Sequence, residues 1–394
     1  MVNKAEKRDK WLDEVKAENR LSPRDLDLVK RASDVLIGNI VTDQNCAWGG
    51  RRGIVPAPVE YCEGIWNWDA AFHAVAVSRF DPALAYEQFE IFFDFQGKDG
   101  IFPDMIFRDG SKLDNYSKPP VFPWAFAEVY KHAANQEKLK VAYEKYTLNE
   151  RFWRMKRFDE PSGLFHYDAT TIDDNPLQHM KWETGMDDSP RWDRGVNQYL
   201  TVDLNAYMIM FYDVLLSMAN MLSFEDDIGV WEEKRNLLAA AINRRLWCVE
   251  KNCYLDRDRF TGEFSSVLSS ASFTLLFAGC ADADKAGRMA ENAKNYDLFY
   301  PTMPSVAFND PTFDSARFWR GPVWYNHAFF AIEGLRRYGF ADLANEIRET
   351  LLRFADHEKR GIFEYYNSKT GEGCGAKNYG WTAACIIEMI FHKN

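Results

Sequence analysis

The links between helices constrain this chain more than the helices themselves. Apolar residues recurring at helical spacing predict a charged N-terminal helical extension over residues 1–20. Twelve further helices are predicted near 23–37, 68–80, 81–97, 120–135, 136–155, 199–222, 223–246, 266–279, 281–293, 318–338, 340–358 and 379–393. After the second, fourth, sixth, eighth and tenth of these twelve the link is nearly absent. After the first, third, fifth, seventh, ninth and eleventh it runs to about 20–40 residues, well beyond ordinary loops. Short links make antiparallel neighbours, so hairpins that run up and down in order place every long loop on one face. Six hairpins with one elaborated face predict an all-α (α/α)6 toroid. Loops on a rigid scaffold are where function usually sits.

Local signals support several boundaries. Ser22-Pro23 and Asp81-Pro82 read as a cap followed by proline at a helix start, and Gly339 stands where a helix should stop. The best strand candidate, "FSSVLSS", is short, and no alternating run is long enough for a real sheet. No linker or low-complexity stretch divides residues 1–394, which predicts a single domain.

Charge and cysteine usage exclude several classes. A net charge of −11 opposes binding to nucleic acid or an anionic membrane, which needs a basic footprint. The seven cysteines are odd in number, scattered and without a CxxC pair, a pattern expected of reduced thiols in a cytoplasm. The N-terminus lacks the apolar core of a secretory signal, and no apolar run reads as a membrane span of roughly 20 residues. The seven histidines do not cluster, so neither a metal site nor a cofactor is expected. Thirteen tryptophans and eighteen tyrosines suit a sugar-binding cleft and a large helical core equally well. No surface specific to a dimer is visible, which leaves the oligomeric state open.

The long loops hold the candidate chemistry. The first ends in "EYCEGIWNWDAAF", with Trp66, Trp68 and Asp69. A lone Asp there is most often a helix cap, but two adjacent tryptophans suggest a ring that stacks on a sugar while a carboxylate grips its hydroxyls. The same loop carries Arg51 and Arg52, which either face solvent or meet a carboxylate on a substrate. The second loop carries Asp104 and Lys118, the latter before two prolines that could simply stiffen a helix entry. The third, longest loop holds "KWETGMDDSPRWD". Glu183, Asp187, Asp188 and Asp193 crowd together there. Mutual repulsion, with desolvation by Trp182 and Trp192, would raise a carboxyl pKa enough for a general acid. The alternative is a salt-bridged loop anchored by Arg191 and Arg194. The fifth loop contributes Trp319, Arg320, Trp324, Tyr325 and Asn326, and the sixth contributes Glu364, Tyr365 and Trp381. Two carboxyl groups on different loops of one aromatic pocket are the minimal equipment of a glycosidase.

Other classes compete. A lyase or epimerase on the same toroid would use a His or Tyr base, for which His327 and Tyr325 are available. A magnesium–diphosphate site at "DDSPRWD" would need acids along a helix wall, whereas Gly185 and Pro190 make this stretch a loop. A non-catalytic sugar-binding protein would not need both carboxylates.

The motifs "WNWDAAF", "SKPPVFPWAF", "ETGMDDSPRWD", "FWRGPVWYNHAFF" and "FEYYNSKTGE…YGWTAA" resemble, in that order, those of glycoside hydrolase family 63, and more distantly those of the family 37 trehalases. The resemblance runs from about residue 60 to the C-terminus. It implies an (α/α)6 barrel and hydrolysis of an α-glycosidic bond with inversion. It also implies Asp187 as general acid and Glu364 as general base. Trp68, Asp69, Trp324 and Trp381 would hold the sugar, with Asp188 and Arg191 supporting them. The chain resembles the compact branch that includes mannosylglycerate and glucosylglycerate hydrolases. It departs from relatives at Lys118, where Gln often stands, which bears on sugar specificity. A small glycoside with an α-glucosyl or α-mannosyl unit is the expected substrate.

Overall fold

Ring closure is visible in which helices touch. The computed structural model describes residues 5–42, 46–168 and 181–392. Its helices are α1 (Glu6–Ala17), α2 (Pro23–Gly38), α3 (Asn67–Val77), α4 (Pro82–Asp94), α5 (Phe122–His132), α6 (Gln136–Arg157), α7 (Val202–Leu222), α8 (Glu225–Arg245), α9 (Thr274–Phe277), α10 (Ala283–Lys294), α11 (Tyr325–Arg337), α12 (Ala341–His357) and α13 (Gly380–Phe391). α3 packs on α5, α5 on α7, α7 on α9, α9 on α11 and α11 on α13, and α13 returns to α3. These six form the inner ring. Against them pack α2, α4, α6, α8 and α12, with α2 on α13, α6 on α7 and α12 on α11, while α10 packs on the strand Cys253–Tyr254. The all-α (α/α)6 toroid is therefore the observed architecture.

The sequence explains which helices lie inside. All eleven residues of α3 are buried, as are most of α11 and α13; a helix that is apolar all round belongs in a core. The outer helices α10 and α12 carry one apolar stripe, Ala286, Met289, Ala290 and Ala293 in α10. α7 is a 21-residue inner helix, long and apolar enough by composition to cross a membrane, with 78% of its apolar window buried in the ring. Its sequence does not read as a span, because Asp203 and Asp213 interrupt the run.

Ser22 and Asp81 cap α2 and α4 as expected, accepting from the Asp25 and Leu84 amides at 3.1 and 3.3 Å. Gly339 has φ 88°, the left-handed turn that ends α11. Two helices differ from expectation. The predicted helix at 266–279 shrinks to a 3-10 turn, Ser270–Phe273, and the single turn of α9. Its serines are engaged elsewhere: the Ser269 hydroxyl donates to the Ser305 carbonyl at 2.9 Å, the local competition that disfavours serine in helices. The predicted helix at 318–338 begins only at Tyr325, because Gly321-Pro322 cannot continue it. "FSSVLSS" makes isolated bridges rather than a strand. The strands that do form are short ribbons in the long loops, of which Gly64–Trp66, Met105–Phe107 and Lys112–Leu113 make a three-stranded one and Phe363–Tyr366 pairs with Gly373–Lys377.

The join between α3 and α13 depends on a glycine. A Cβ on Gly380 would lie 2.1 Å from Nε2 of His73, which is fully buried. Gly380→Ala is expected to force the two inner helices apart and cost about 1–3 kcal/mol. A lowered thermal midpoint with an unchanged helical spectrum is the expected result; an unchanged midpoint would show that the contact is loose.

Candidate active site

Each long link precedes an inner helix, so the inner helices all start at the elaborated face. Their N-termini carry partial positive charge and favour anions there. At this face lies a pocket of about 510 Å³, lined by Pro56, Tyr61, Trp66, Trp68, Asp69, Lys118, Gly185, Asp187, Phe318, Trp319, Trp324, Glu364, Tyr379 and Trp381. Nine of the residues singled out from sequence thus meet in one place: Trp66, Trp68, Asp69, Lys118, Asp187, Trp319, Trp324, Glu364 and Trp381.

Asp69 sits in the first turn of α3 but caps nothing; no side chain caps that helix. Its carboxyl is buried, hydrogen-bonded to the Tyr379 hydroxyl, and its Oδ1 has no partner among the described residues. Burial pushes its pKa up to about 8, against the pull of Tyr379 and Lys118.

Asp187 lies on a turn braced from both sides. Thr184 Oγ1 donates to the Lys181 carbonyl at 2.6 Å and accepts from the Met186 amide at 3.0 Å. Trp192 Nε1 donates to the Met186 carbonyl at 3.1 Å. Behind them Arg191 is clamped between two buried carboxylates, Asp203 (2.9 Å twice) and Asp256 (2.7 and 2.9 Å). Removing one partner of such a pair costs about 3–5 kcal/mol, so this turn is rigid.

The crowding of acids expected in this loop is dispersed by arginines. Glu183 is held by Arg157 at 2.7 Å, Asp188 by Arg317 at 3.0 Å and Arg320 at 3.3 Å, and Asp193 by Arg320 at 3.0 Å. The salt-bridged alternative therefore describes those three, paired by Arg157, Arg317 and Arg320, while Arg191 anchors the loop as expected, through Asp203 and Asp256. Asp187 escapes: its Oδ1 is covered, accepts no hydrogen bond among the described residues, and lies 3.9 Å from Lys118 Nζ. Loss of water is the main force that lifts Asp187, to about 6; Lys118 opposes it, and repulsion by Asp104 and Asp188 adds to it.

Glu364 is aimed by a bulge. The register of Phe363–Tyr366 against Gly373–Lys377 shifts between Phe363 and Tyr365, the device that re-aims a side chain at a strand edge. Its Oε2 accepts from the Ala376 amide at 3.0 Å, while its carbonyl accepts from Thr382 Oγ1 at 3.0 Å and Trp381 Nε1 at 3.3 Å. Burial pushes its pKa up to about 7, with the Ala376 N–H pulling down and Asp187 pushing up. Val323 and Tyr366 exchange backbone hydrogen bonds at 2.9 and 3.1 Å, which brings the Trp324 loop to the Glu364 strand.

One wall is aromatic. Trp319 and Trp324 stack with centroids 3.9 Å apart, and Trp324 stacks on Tyr365 at 4.7 Å. Phe318 adopts φ 30° and its carbonyl accepts from Trp324 Nε1 at 2.8 Å. A bulky residue in that conformation is strained, a mark of functional sites.

Four candidates stand behind the pocket instead of lining it. Tyr365 backs Trp324. Arg320 is consumed by Asp193 and Asp188. Asp104 is buried, accepts from the Tyr116 hydroxyl at 2.9 Å and lies 3.8 Å from Lys118. Trp182 offers its backbone carbonyl to Lys118, while its ring packs near Tyr116 at 6.3 Å. Arg51 and Arg52 are tied to outer-helix acids, Arg51 to Glu90 and Asp94, Arg52 to Glu87 and Asp81. Pro56, Tyr61, Phe318 and Tyr379 line the pocket without having stood out in the sequence. Tyr379 had a usable signal, since it adjoins Trp381 at a helix start on the functional face. The two bases named for a lyase are withdrawn: Tyr325 donates to the Leu351 carbonyl, and His327 is buried between Trp68 and Trp319.

Residues 62–382 match the family of mannosylglycerate hydrolase MGH1-like glycoside hydrolase domains. The chain belongs to this family. It is a glycoside hydrolase, as the family 63 motifs implied. A mannosylglycerate hydrolase of Rubrobacter radiotolerans is 25% identical, over 95% of this chain and 99% of that protein. A mannosylglycerate hydrolase of Thermus thermophilus is 27% identical, over 82% of this chain and 93% of that one. The crystal structure of a family 63 mannosylglycerate hydrolase from Thermus thermophilus in complex with glucose superposes with a TM-score of 0.79 at 26% identity, covering 92% of this chain and 99% of that one. Yeast neutral trehalase shares the fold, with a TM-score of 0.70 at 18% identity, covering 92% and 80%.

A glycine stands directly against the Glu364 carboxyl of this glycoside hydrolase. Gly375 has φ 73°, and a Cβ there would lie 2.5 Å from Glu364 Oε2. Gly375→Ala is expected to displace that carboxylate and lower kcat by on the order of 10²-fold, with the fold retained by circular dichroism. Normal turnover would mean that the position of Glu364 does not matter.

Proposed function

We propose that the enzyme hydrolyses the α-glycosidic bond of a small glucoside or mannoside with inversion, Asp187 acting as general acid and Glu364 as general base. The observation that carries this reading is the meeting of Asp187 and Glu364, from separate rigid loops, in one aromatic pocket. The sugar enters and stacks on tryptophan, while Asp69 grips its ring hydroxyls. Protonated Asp187 donates to the glycosidic oxygen as the bond to the anomeric carbon breaks. Glu364, ionised, takes a proton from a water that attacks that carbon from the opposite face. An inverting pair is set about 6.5–9.5 Å apart to admit that water. At the end of the step Asp187 has lost a proton and Glu364 has gained one, and solvent exchange restores both.

The mannosylglycerate hydrolases among the relatives, and the Thermus structure in complex with Tris and D-glycerate, favour α-mannosyl- and α-glucosylglycerate as first substrates to try. Trehalose and α-linked glucobioses complete the panel. The free thiols suit a cytoplasmic setting.

Cleavage of at least one member of that panel is the expected result. Asp187→Asn and Glu364→Gln should each lower kcat by about 10²–10⁴-fold while leaving the thermal midpoint within a few degrees. Near-normal turnover of Glu364→Gln would refute the assignment of the base.

The pair also predicts a pH profile. Activity needs one proton shared by the two groups. As pH falls both are protonated and no base remains; as pH rises both are ionised and no acid remains. With values of about 6 for Asp187 and 7 for Glu364, the shared proton rests mainly on Glu364 and the reactive arrangement, with the proton on Asp187, is the minor one; kcat/KM should still form a bell with its maximum between the two values. A profile flat from pH 5 to 9 would contradict the carboxyl pair.

A further inference from the structure

Lys118 is the one basic side chain lining the pocket among the described residues. It directly precedes Pro119-Pro120 at the entry to α5, and its side chain is 11% exposed. Its ammonium donates to the Trp182 carbonyl, which also accepts from the Gly185 amide at 3.2 Å and so closes the turn leading to Asp187. Beyond that bond, Nζ lies between two carboxylates, 3.8 Å from Asp104 Oδ1 and 3.9 Å from Asp187 Oδ1. Both distances are too long for hydrogen bonds but well within the range of strong charge interaction. Asp104 is fixed in turn by the Tyr116 hydroxyl.

We propose that Lys118 is the positioning residue of the candidate acid: one ammonium fastens the Asp187 turn to the barrel wall and holds the Asp187 carboxyl by charge. This inference rests on the reading of Asp187 as the acid. Lys118 does not touch the bond that breaks; it acts through Asp187.

The groups around the pair are few. Asp104, Asp187, Asp69 and Glu183 act on Lys118; they outweigh the burial that would strip its proton and raise its pKa. Lys118, Asp104 and Asp188 act on Asp187, and Glu364, Tyr61 and Tyr116 face it. Glu183 is neutralised by Arg157, and Asp188 by Arg317 and Arg320. The groups that shift Glu364 are the Ala376 amide, Asp187 and Glu60. Lys118 therefore acts directly on Asp187 and on Asp69, which it pulls down, and reaches Glu364 through Asp187.

The test is a titration of Asp187 in the full-length protein labelled with 13C-carboxyl aspartate. The resonance is assigned by its loss in Asp187→Asn. In Lys118→Met the midpoint should rise by about one unit or more, the size expected for removing a cation within 4–6 Å. Lys118→Arg should stay near the wild-type value. Asp104→Asn should move the midpoint the other way, because the direct repulsion of Asp187 by Asp104 is lost and Lys118 keeps one competitor fewer. The bell of kcat/KM should follow, displaced to higher pH in Lys118→Met, where a merely structural loss would lower kcat without displacing it. An unchanged midpoint in Lys118→Met overturns the proposal. If that variant does not fold, an unchanged midpoint in Lys118→Gln, which also removes the cation, overturns it instead. The titration needs no substrate, so it judges Lys118 even if the substrate panel were to fail.

Discussion

Carboxyl groups resist burial, and this pocket buries two, Asp69 and Glu364, and half-buries a third, Asp187. Asp69, Asp187 and Glu364 share one narrow space walled by tryptophan, and loss of water is the largest influence on each. That single constraint accounts for much of the surrounding structure. The acids not needed in the pocket are drawn off into arginine pairs. The inner helices present their positive ends to it. A lone ammonium, Lys118, stands where it moderates Asp187 without neutralising the whole site.

Such a site works only if the loops that carry it hold still, and each is anchored in its own way. The Asp187 turn hangs on Arg191, itself clamped by Asp203 from the first turn of α7 and by Asp256 from the loop after α8. The Glu364 strand is stitched to α13 through Thr382 and Trp381, and to the Trp324 loop through Val323. Closure of the inner ring at Gly380 against His73 brings the first and last loops together. Asp69 from one and Tyr379 from the other then share a hydrogen bond.

What the sequence made legible follows from how local each signal is. Link lengths are local counts, so the alternation of short and long links sufficed for the toroid. Motifs at the starts of inner helices were legible because a helix start on the functional face must look toward the pocket; Trp68, Asp69 and Trp381 are of that kind. The loop "KWETGMDDSPRWD" was harder. Its acids look alike in sequence, and only distant arginines, at 157, 317 and 320, distinguish the structural ones from Asp187. Direction was equally hidden. Asp104, Trp182, Arg320 and Tyr365 lie on the right loops but turn their side chains to the pocket's supports. Glu364 points inward only because a bulge and Gly375 on the opposite strand allow it. Phe318 and Tyr61 enter the pocket through contacts made far along the chain, which no single motif reveals.

The central claim is that Asp187 and Glu364 act from opposite faces of the sugar with a water between Glu364 and the anomeric carbon. The stereochemistry of the first product tests this most directly. Proton NMR of the anomeric region, recorded during the first minutes of hydrolysis and before mutarotation, separates the outcomes. The β-anomer should appear first from an α-linked substrate and only later relax to the equilibrium mixture. If the α-anomer appears first, a covalent glycosyl-enzyme has formed, Glu364 is not activating water, and the inverting mechanism is wrong.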